Sequence, residues 1–346
     1  MERVITTAHG SGGSATGELI SGIFTKEFHN DMDDAAVLDA GDGTRIAMTT
    51  DSFVVTPQIY RGGDIGRLAV CGTVNDLLMR GSRPRYLTAG FILEEGVSFS
   101  LLERAVHSMA ETADEAGVRV VAGDTKVIGG RSDSEPGLYI NTAGCGIMNG
   151  WRRADGTAAV TDIAAENAKP GDAILVSGSL GEHHAVILGS RLGIEVSAES
   201  DNAPLTDMVG NLIASGVRIH TMRDVTRGGL GTVLKELAEA SGRVFSIADE
   251  AIPVTGAVAD FCRMMGLDPL YMGNEGKMVC IVDGRDADRA LSIIRRSKYG
   301  QNACVIGRVL EAGEETHPRG TVVLRTAVGG ERNIGILQGE GLPRIC

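Results

Sequence analysis

Apolar residues change their spacing along the chain, and each change marks an element. In "TRIAMTTDSFVV" and "RPRYLTAGFIL", β-branched and aromatic residues cluster between turn formers, which predicts strands. In "GGDIGRLAVCGTVNDLLMRG" and "SFSLLERAVHSMAETADEAG" the apolar positions recur every three or four residues, which predicts helices, the second capped by Ser98 or Ser100. "VRVVAGDTKVIGG" reads as a buried strand running into a glycine-rich loop, and "LYINTAGCGIM" as another strand. A Pro-Gly turn in "AENAKPGDAILVSG" then introduces a new strand, and the alternation restarts. Helices are predicted in "EHHAVILGSR", "PLTDMVGNLIASG", "TGAVADFCRMMG" and "DADRALSIIRRSKYG". "HTMRDVTRGGLGTVLKELAEASG" reads as a loop and a helix. Strands are predicted in "RVFSIADEAIPV", "KMVCIVD", "NACVIGRVL" and "TVVLRTA".

The class is therefore mixed α/β (α+β), with one domain over 1–155, a second over 156–337 and an aperiodic tail over 338–346. A length of 346 residues, 43% of them hydrophobic, supports two cores. No apolar run is long enough for a membrane helix, and "MERVITTAHGSGG" lacks the basic and apolar regions of a secretory leader. The expected location is the cytoplasm, with no membrane partner. A net charge of −12 without a Lys/Arg cluster argues against a nucleic-acid partner. The six cysteines form no CxxC and no Cys/His cluster, which excludes the usual zinc and iron–sulfur patterns. The five internal ones lie in apolar surroundings and are expected as buried free thiols of a reducing compartment.

Candidate chemistry concentrates in five acidic loops: "NDMDDAAVL", "TTDSFVV", "GTVNDLLM", "VAGDTKV" and "MRDVTRGGL". One such loop alone is an ordinary turn, since Asp and Gly favour turns. Five, each anchored by apolar flanks, bring like charges together and call for a hard cation such as Mg²⁺, which commonly bridges carboxylates to phosphates. The 48 glycines include "AHGSGGSATGELI", whose backbone N–H groups lead into a helix and can wrap an anionic oxygen. It matches neither GxxxxGK[ST] nor GxGxxG. "GDTK" adds a cation, Lys126, suited to a β- or γ-phosphate, and "GNEGKM" adds Glu275 in a glycine-flanked loop. His183 and His184 stand at a helix start as capping or phosphate-side residues, since adjacent helical positions do not face one another. His9, in the glycine-rich loop, is a further site candidate.

The chain ends in "GEGLPRIC", on Cys346. Two readings fit: a small apolar plug, as most free cysteines are, or the working thiol of a swinging arm. Residues 338–346, extended at about 3.3 Å each, reach roughly 30 Å. Gly339 and Gly341 allow bending, Pro343 stiffens the tip, and Arg344 is placed to offset the terminal carboxylate, which otherwise raises the thiol pKa.

Taken in order, "AHGSGG", "DDAAVL", "TTDSFVVTP", "GGDIGRLAVCGTVNDLLMRGSRPRYL", "VAGDTKV", "DVTRGGLGTVLKELA", "NEGK" and the terminal "LPRIC" resemble the HypE family of hydrogenase maturation factors. That family lies within the ATP-using superfamily of aminoimidazole ribonucleotide synthetase, selenophosphate synthetase and thiamine-monophosphate kinase. The resemblance covers essentially the whole chain and implies the two-domain synthetase-like fold, a homodimer joined through its N-terminal halves, and ATP with Mg²⁺. It implies that a carbamoyltransferase, HypF, loads Cys346 with a carbamoyl group, that ATP-dependent dehydration makes a thiocyanate, and that the cyanide passes through a HypC–HypD complex to hydrogenase iron. By the same resemblance Asp33, Asp34, Asp51, Asp76, Asp124 and Asp224 are implied as Mg²⁺–ATP ligands, and Lys126 and Glu275 as groups handling the substrate amide. Gly10, Ser11, Gly12 and Gly13 would close over phosphate, with Asn75 and Thr125 as further nucleotide contacts. Another amide-activating synthetase, or a nucleotide-binding scaffold that merely presents a cysteine, is the alternative.

Overall fold

The computed structural model describes residues 4–28, 33–130, 135–313, 317–338, 341–342 and 344–346. In the N-terminal half, α1 (Ser14–Leu19) runs through a widened helical turn into α2 (Lys26–Phe28). There follow β1 (Ala36–Asp39), β2 (Arg45–Phe53), the short pair β3 (Ile59–Tyr60) and β4 (Gly63–Asp64), and α3 (Ile65–Met79). β5 (Arg83–Glu94), α4 (Phe99–Ala116), β6 (Arg119–Ile128) and β7 (Leu138–Ile147) complete it. The main sheet has the order β1-β2-β7-β5-β6, with β5 and β6 parallel across the α4 crossover. Asp64 starts α3 by accepting from the N–H groups of Gly66 and Arg67 at 2.9 and 3.1 Å. Ser98 does the same for α4 through Leu101 N–H, and Gly117 ends that helix with a left-handed φ of 69°.

α3 is apolar on nearly every side and is buried accordingly, between its own sheet and the second half of the molecule. β6 departs from the sequence reading. Its valine-rich run was expected to be buried, yet every residue of it is exposed, because it is an edge strand paired only to β5. Val120, Val121, Val127 and Ile128 stand in the open.

The second half supplies β8 (Ala173–Val176), α5 (Glu182–Leu192), α6 (Thr206–Ser215), β9 (Ile219–Asp224) and α7 (Gly229–Ser241). It continues with β10 (Val244–Ala248), α8 (Gly256–Met265), β11 (Met278–Val282) and α9 (Ala287–Arg296). β12 (Cys304–Leu310), β13 (Val322–Arg325) and β14 (Glu331–Ile334) close the seven-stranded sheet β14-β13-β10-β12-β8-β11-β9. β8 and β11, continuous apolar runs, are buried throughout. "HTMRD" is a strand rather than a loop, because pairing with β11 (Met278 opposite Asp224) overrides its polar composition. Among the internal cysteines, Cys71, Cys262 and Cys280 are buried, whereas Cys145 and Cys304 are only partly so, each on a strand with one face less covered. No helix among the described residues is long and apolar enough to cross a membrane.

The two halves are stitched by polar contacts around α3. Asn75 donates to Ala203 O at 3.0 Å and accepts from Leu205 N–H at 2.9 Å, while Arg67 Nε donates to Asn202 O at 2.9 Å. Both ends of the Asn75 amide are thus committed to holding the segment that leads into α6.

Candidate active site

A cavity of about 300 Å³ opens between the halves, lined by Asp33, Asp34, Asp51, Asp76, Asp224 and Glu275, by Arg223 and Arg227, and by Gly12 and Cys346. The acids arrive from several elements. Asp51 lies on β2, Asp76 near the end of α3, Asp224 at the last position of β9, and Asp33 and Asp34 just before β1. The approach of β2 to α3 depends on Gly72, where a Cβ would sit 2.7 Å from the Phe53 ring and 3.3 Å from Asp51 Oδ2.

Arg223 Nε pairs with Asp34 Oδ1 at 2.5 Å, and Arg80 pairs with Asp33. The Thr49 hydroxyl shares its proton between Asp34 O at 2.8 Å and Asp76 Oδ2 at 2.9 Å. These contacts do not neutralise the cluster. Burial pushes the carboxyls of Asp34 and Asp76 well above the usual range, and the charges of neighbouring aspartates push them further, against Arg223 at Asp34. Asp224 is raised to about 6 by burial and by Asp51, again against Arg223. Asp51 itself is raised by burial, against Arg227. Asp34 Oδ2 is buried and has no hydrogen-bond partner among the described residues.

An orphaned carboxylate oxygen among mutually repelling acids fits a hard divalent cation. Among the described residues no three acids, histidines or cysteines form a ready-made cage.

Glu275 is buried in a tight turn before β11. Its carboxyl is pushed well above the ordinary range by burial first, then by Asp51, Asp224 and Asp201, with Arg227 opposing. Its backbone N–H donates to the Asp201 carboxylate at 3.3 Å. Asp201 is fully buried and pairs with Lys277 Nζ at 3.3 Å. Sequence reasoning missed both residues, although Lys277 stands inside the quoted "NEGK".

The glycine-rich loop closes one wall. Arg227 donates to Gly10 O at 2.7 Å, and Ser11 Oγ to Thr7 O at 2.9 Å. Gly12 has φ of 77°, and a Cβ there would stand 2.7 Å from the Arg227 Cβ, so only glycine lets the two loops meet. Gly13 is buried at the start of α1. His9 is spent on its own turn, bonding Thr6 through Nδ1, and does not line the cavity.

The tail is docked. Val54 N–H donates to Cys346 O at 2.9 Å, Thr56 N–H to Arg344 O at 3.2 Å, and Ile345 is buried in the core. Burial pushes the Cys346 thiol up to about 12, with Arg227 opposing and Glu275, Asp51 and Asp224 adding to the rise. The cation beside the cysteine is thus Arg227, not Arg344, which turns away to donate to Val54 O at 3.0 Å and to lie over the Tyr139 ring. "DVTRGGL" carried Arg227 in plain view, but its role needed the fold.

Asp124, Thr125 and Lys126 are not brought to this cavity. They lie on exposed β6, where Lys126 Nζ pairs with Asp124 at 2.6 Å. Asn75 lies beside the cavity wall, its amide already bonded as described.

The chain matches two family models, the AIR synthase related protein N-terminal domain over residues 32–148 and the C-terminal domain over 169–318. It is 44% identical to carbamoyl dehydratase HypE of Rhodobacter capsulatus, over 99% of this chain and 98% of that protein. A solved structure of the hydrogenase maturation protein HypE in complex with ATP superposes with a TM-score of 0.80 at 43% identity, covering 99% of this chain and all of the other. A HypE–HypF complex gives a TM-score of 0.81 at 38% identity, over 94% of this chain and all of the matched one. With full-length identity at this level and both domain models in order, the chain belongs to the HypE family of carbamoyl dehydratases, enzymes of hydrogenase maturation.

Proposed function

We propose that the chain binds ATP with Mg²⁺ in the acid-lined cavity and dehydrates an S-carbamoyl group on Cys346 to a thiocyanate, the source of a cyanide ligand for hydrogenase iron. The observation that carries this reading is the seating of Cys346 in the same cavity as Glu275 and the buried aspartates. The reaction balances as Cys346–S–CO–NH₂ plus ATP giving Cys346–S–C≡N plus ADP and phosphate. The carbonyl oxygen leaves on phosphate and the nitrogen gives up both protons. Asp34, Asp51, Asp76 and Asp224 would hold the Mg²⁺, which when bound supplies positive charge for the phosphates. Arg227 faces both Cys346 and the acids, and adds charge where the phosphoryl group meets the amide oxygen. Glu275 takes an N–H proton; a carboxyl raised toward neutrality is a stronger base once ionised than a solvated one.

In this reading a HypF-type carbamoyltransferase loads the thiol and a HypC–HypD-type complex receives the cyanide, all in the cytoplasm. The test is the intact mass of the chain after incubation with carbamoyltransferase, carbamoyl phosphate and ATP. The expected product carries a cyano group in place of the thiol hydrogen. Glu275→Gln should accumulate the carbamoyl adduct and stall there; normal cyanide formation by that variant would remove Glu275 from the mechanism. A pure scaffold would show no ATP consumption dependent on a carbamoylated Cys346.

We further propose a homodimer in which a second copy covers β6. Its exposed valines form an apolar edge that also carries Asp124, Thr125 and Lys126. Val127→Asp should halve the mass found by light scattering. An unchanged mass would exclude this face.

A further inference from the structure

Every carbonyl of the last three residues is held. Cys346 O accepts from Val54 N–H, Ile345 O from His183 Nε2 at 2.7 Å, and Arg344 O from both Thr56 N–H and the Arg191 guanidinium. Two of these donors are side chains of α5, to which the resemblance gave no role in the chemistry. Arg191 also donates from Nε to Thr56 O at 2.7 Å, so it grips the tail and the strand extension beneath it together.

His183 is built for this contact. A carbonyl can only accept, so Nε2 carries the proton and Nδ1 is the acceptor, satisfied by Ser200 Oγ at 2.7 Å. The Tyr60 ring meets the imidazole edge-on at 5.3 Å, and the His183 backbone N–H donates to Asp201 at 3.2 Å. Burial disfavours the charged form of the ring, which keeps this single tautomer. Against these bonds stands Arg344, held at φ of 53°, a left-handed conformation that costs a non-glycine residue energy and is relieved when the tail leaves.

A docked thiol is buried and un-ionised, while a thiol that accepts a carbamoyl group from another protein must be reachable and ionised. Loading and dehydration therefore demand different positions of one sulfur. We propose that His183 and Arg191 are positioning residues that seat the terminal cysteine for the ATP-consuming step, and that breaking their bonds to the Ile345 and Arg344 carbonyls frees the thiol for loading. This rests on the reading of Cys346 as the carrier. It adds the residues that set the balance between the two positions.

The test follows the alkylation rate of Cys346 by iodoacetamide on the full chain, read from the mass of the C-terminal peptide. His183→Leu and Arg191→Ala should each raise that rate by about tenfold, the scale of one lost side-chain hydrogen bond. His183→Gln, which keeps an N–H donor, should stay near the starting rate. Both damaging variants should still accept the carbamoyl group, while dehydration slows by a similar factor. Unchanged Cys346 alkylation in folded Arg191→Ala would overturn the proposal, even if His183→Leu failed to fold. So would an equal rise at Cys71 and Cys280, since that reports general loosening. If alkylation responds as stated but the unsubstituted chain makes no cyanide, the seating stands and the reading of the function falls.

Discussion

Cys346→Ala should abolish both the carbamoyl adduct and cyanide formation while leaving ATP binding intact. In the proposed reaction this residue supplies the one atom of the chain that becomes bonded to the carbamoyl carbon, so no neighbour could replace it. Its burial raises the rival account of a core plug, and stability separates the two. Removing one sulfur at the end of a docked tail leaves a small gap, and the expected change is within about 1 kcal/mol. A plug would instead show as a clear fall in melting temperature with little change in catalysis. Residues added after Cys346 should be nearly as harmful as the substitution, because they must pass into a cavity of about 300 Å³ that also has to hold phosphates. An N-terminal extension should be tolerated, since Val4 and Ile5 are exposed. A destabilised alanine variant beside a fully active C-terminally extended protein would return the cysteine to the role of a plug.

Asp76→Asn should lower ATP turnover by a factor on the order of 10² to 10³, the scale of losing a charged contact at a phosphoryl-transfer site. The same variant should be more stable than its parent when no cation is present, by on the order of 1 kcal/mol. The reason is that Asp76 is raised first by burial and then by Asp224, Asp51 and Asp34, so its ionised form opposes folding. Such a group costs nothing below its unfolded pKa, where it is protonated in both states. The cost grows as pH rises through the folded value. The stability gap between variant and parent should therefore be widest at neutral pH and close as the medium is acidified. Thermal melts at two pH values, with a chelator present, measure it. Unaltered turnover in Asp76→Asn would remove Asp76 from the proposed metal ligands.

Much of this arrangement could be read from local pattern. "DDAAVL", "TTDSFVV", "GTVNDLLM" and "MRDVTRGGL" each place an acid where an apolar element ends, and element ends are what converge on a cleft between two sheets. At "VAGDTKV" the expected burial of the strand fails. A valine-rich edge strand looks like an inner one until its neighbours are known, so nothing local announced that Asp124 and Lys126 would lie in the open. Residues acting at a distance were also hidden. His183 reaches a carbonyl 162 positions away, and Asp201 meets Glu275 across 74. The paired histidines read locally as caps or phosphate contacts; the use of His183 as a side-chain donor to the tail backbone has no signature shorter than the fold itself.

Asp201 and Lys277 lie behind the reaction, Asp201 one hydrogen bond away from the cavity-lining Glu275, yet they bear on how this enzyme can change over generations. Asp201 steadies the backbone of both His183 and Glu275, and its charge is matched by the buried ammonium of Lys277. Replacing Lys277 leaves the buried Asp201 carboxylate without its cation, a loss of several kcal/mol, and replacing Asp201 leaves the Lys277 ammonium to the more distant Glu182 at 3.8 Å. Replacing both with neutral groups of similar bulk passes over that loss only if the two changes arrive together. The pair thus couples two stretches of gene that seem independent, so drift at one position is permitted only in backgrounds where the other has already moved.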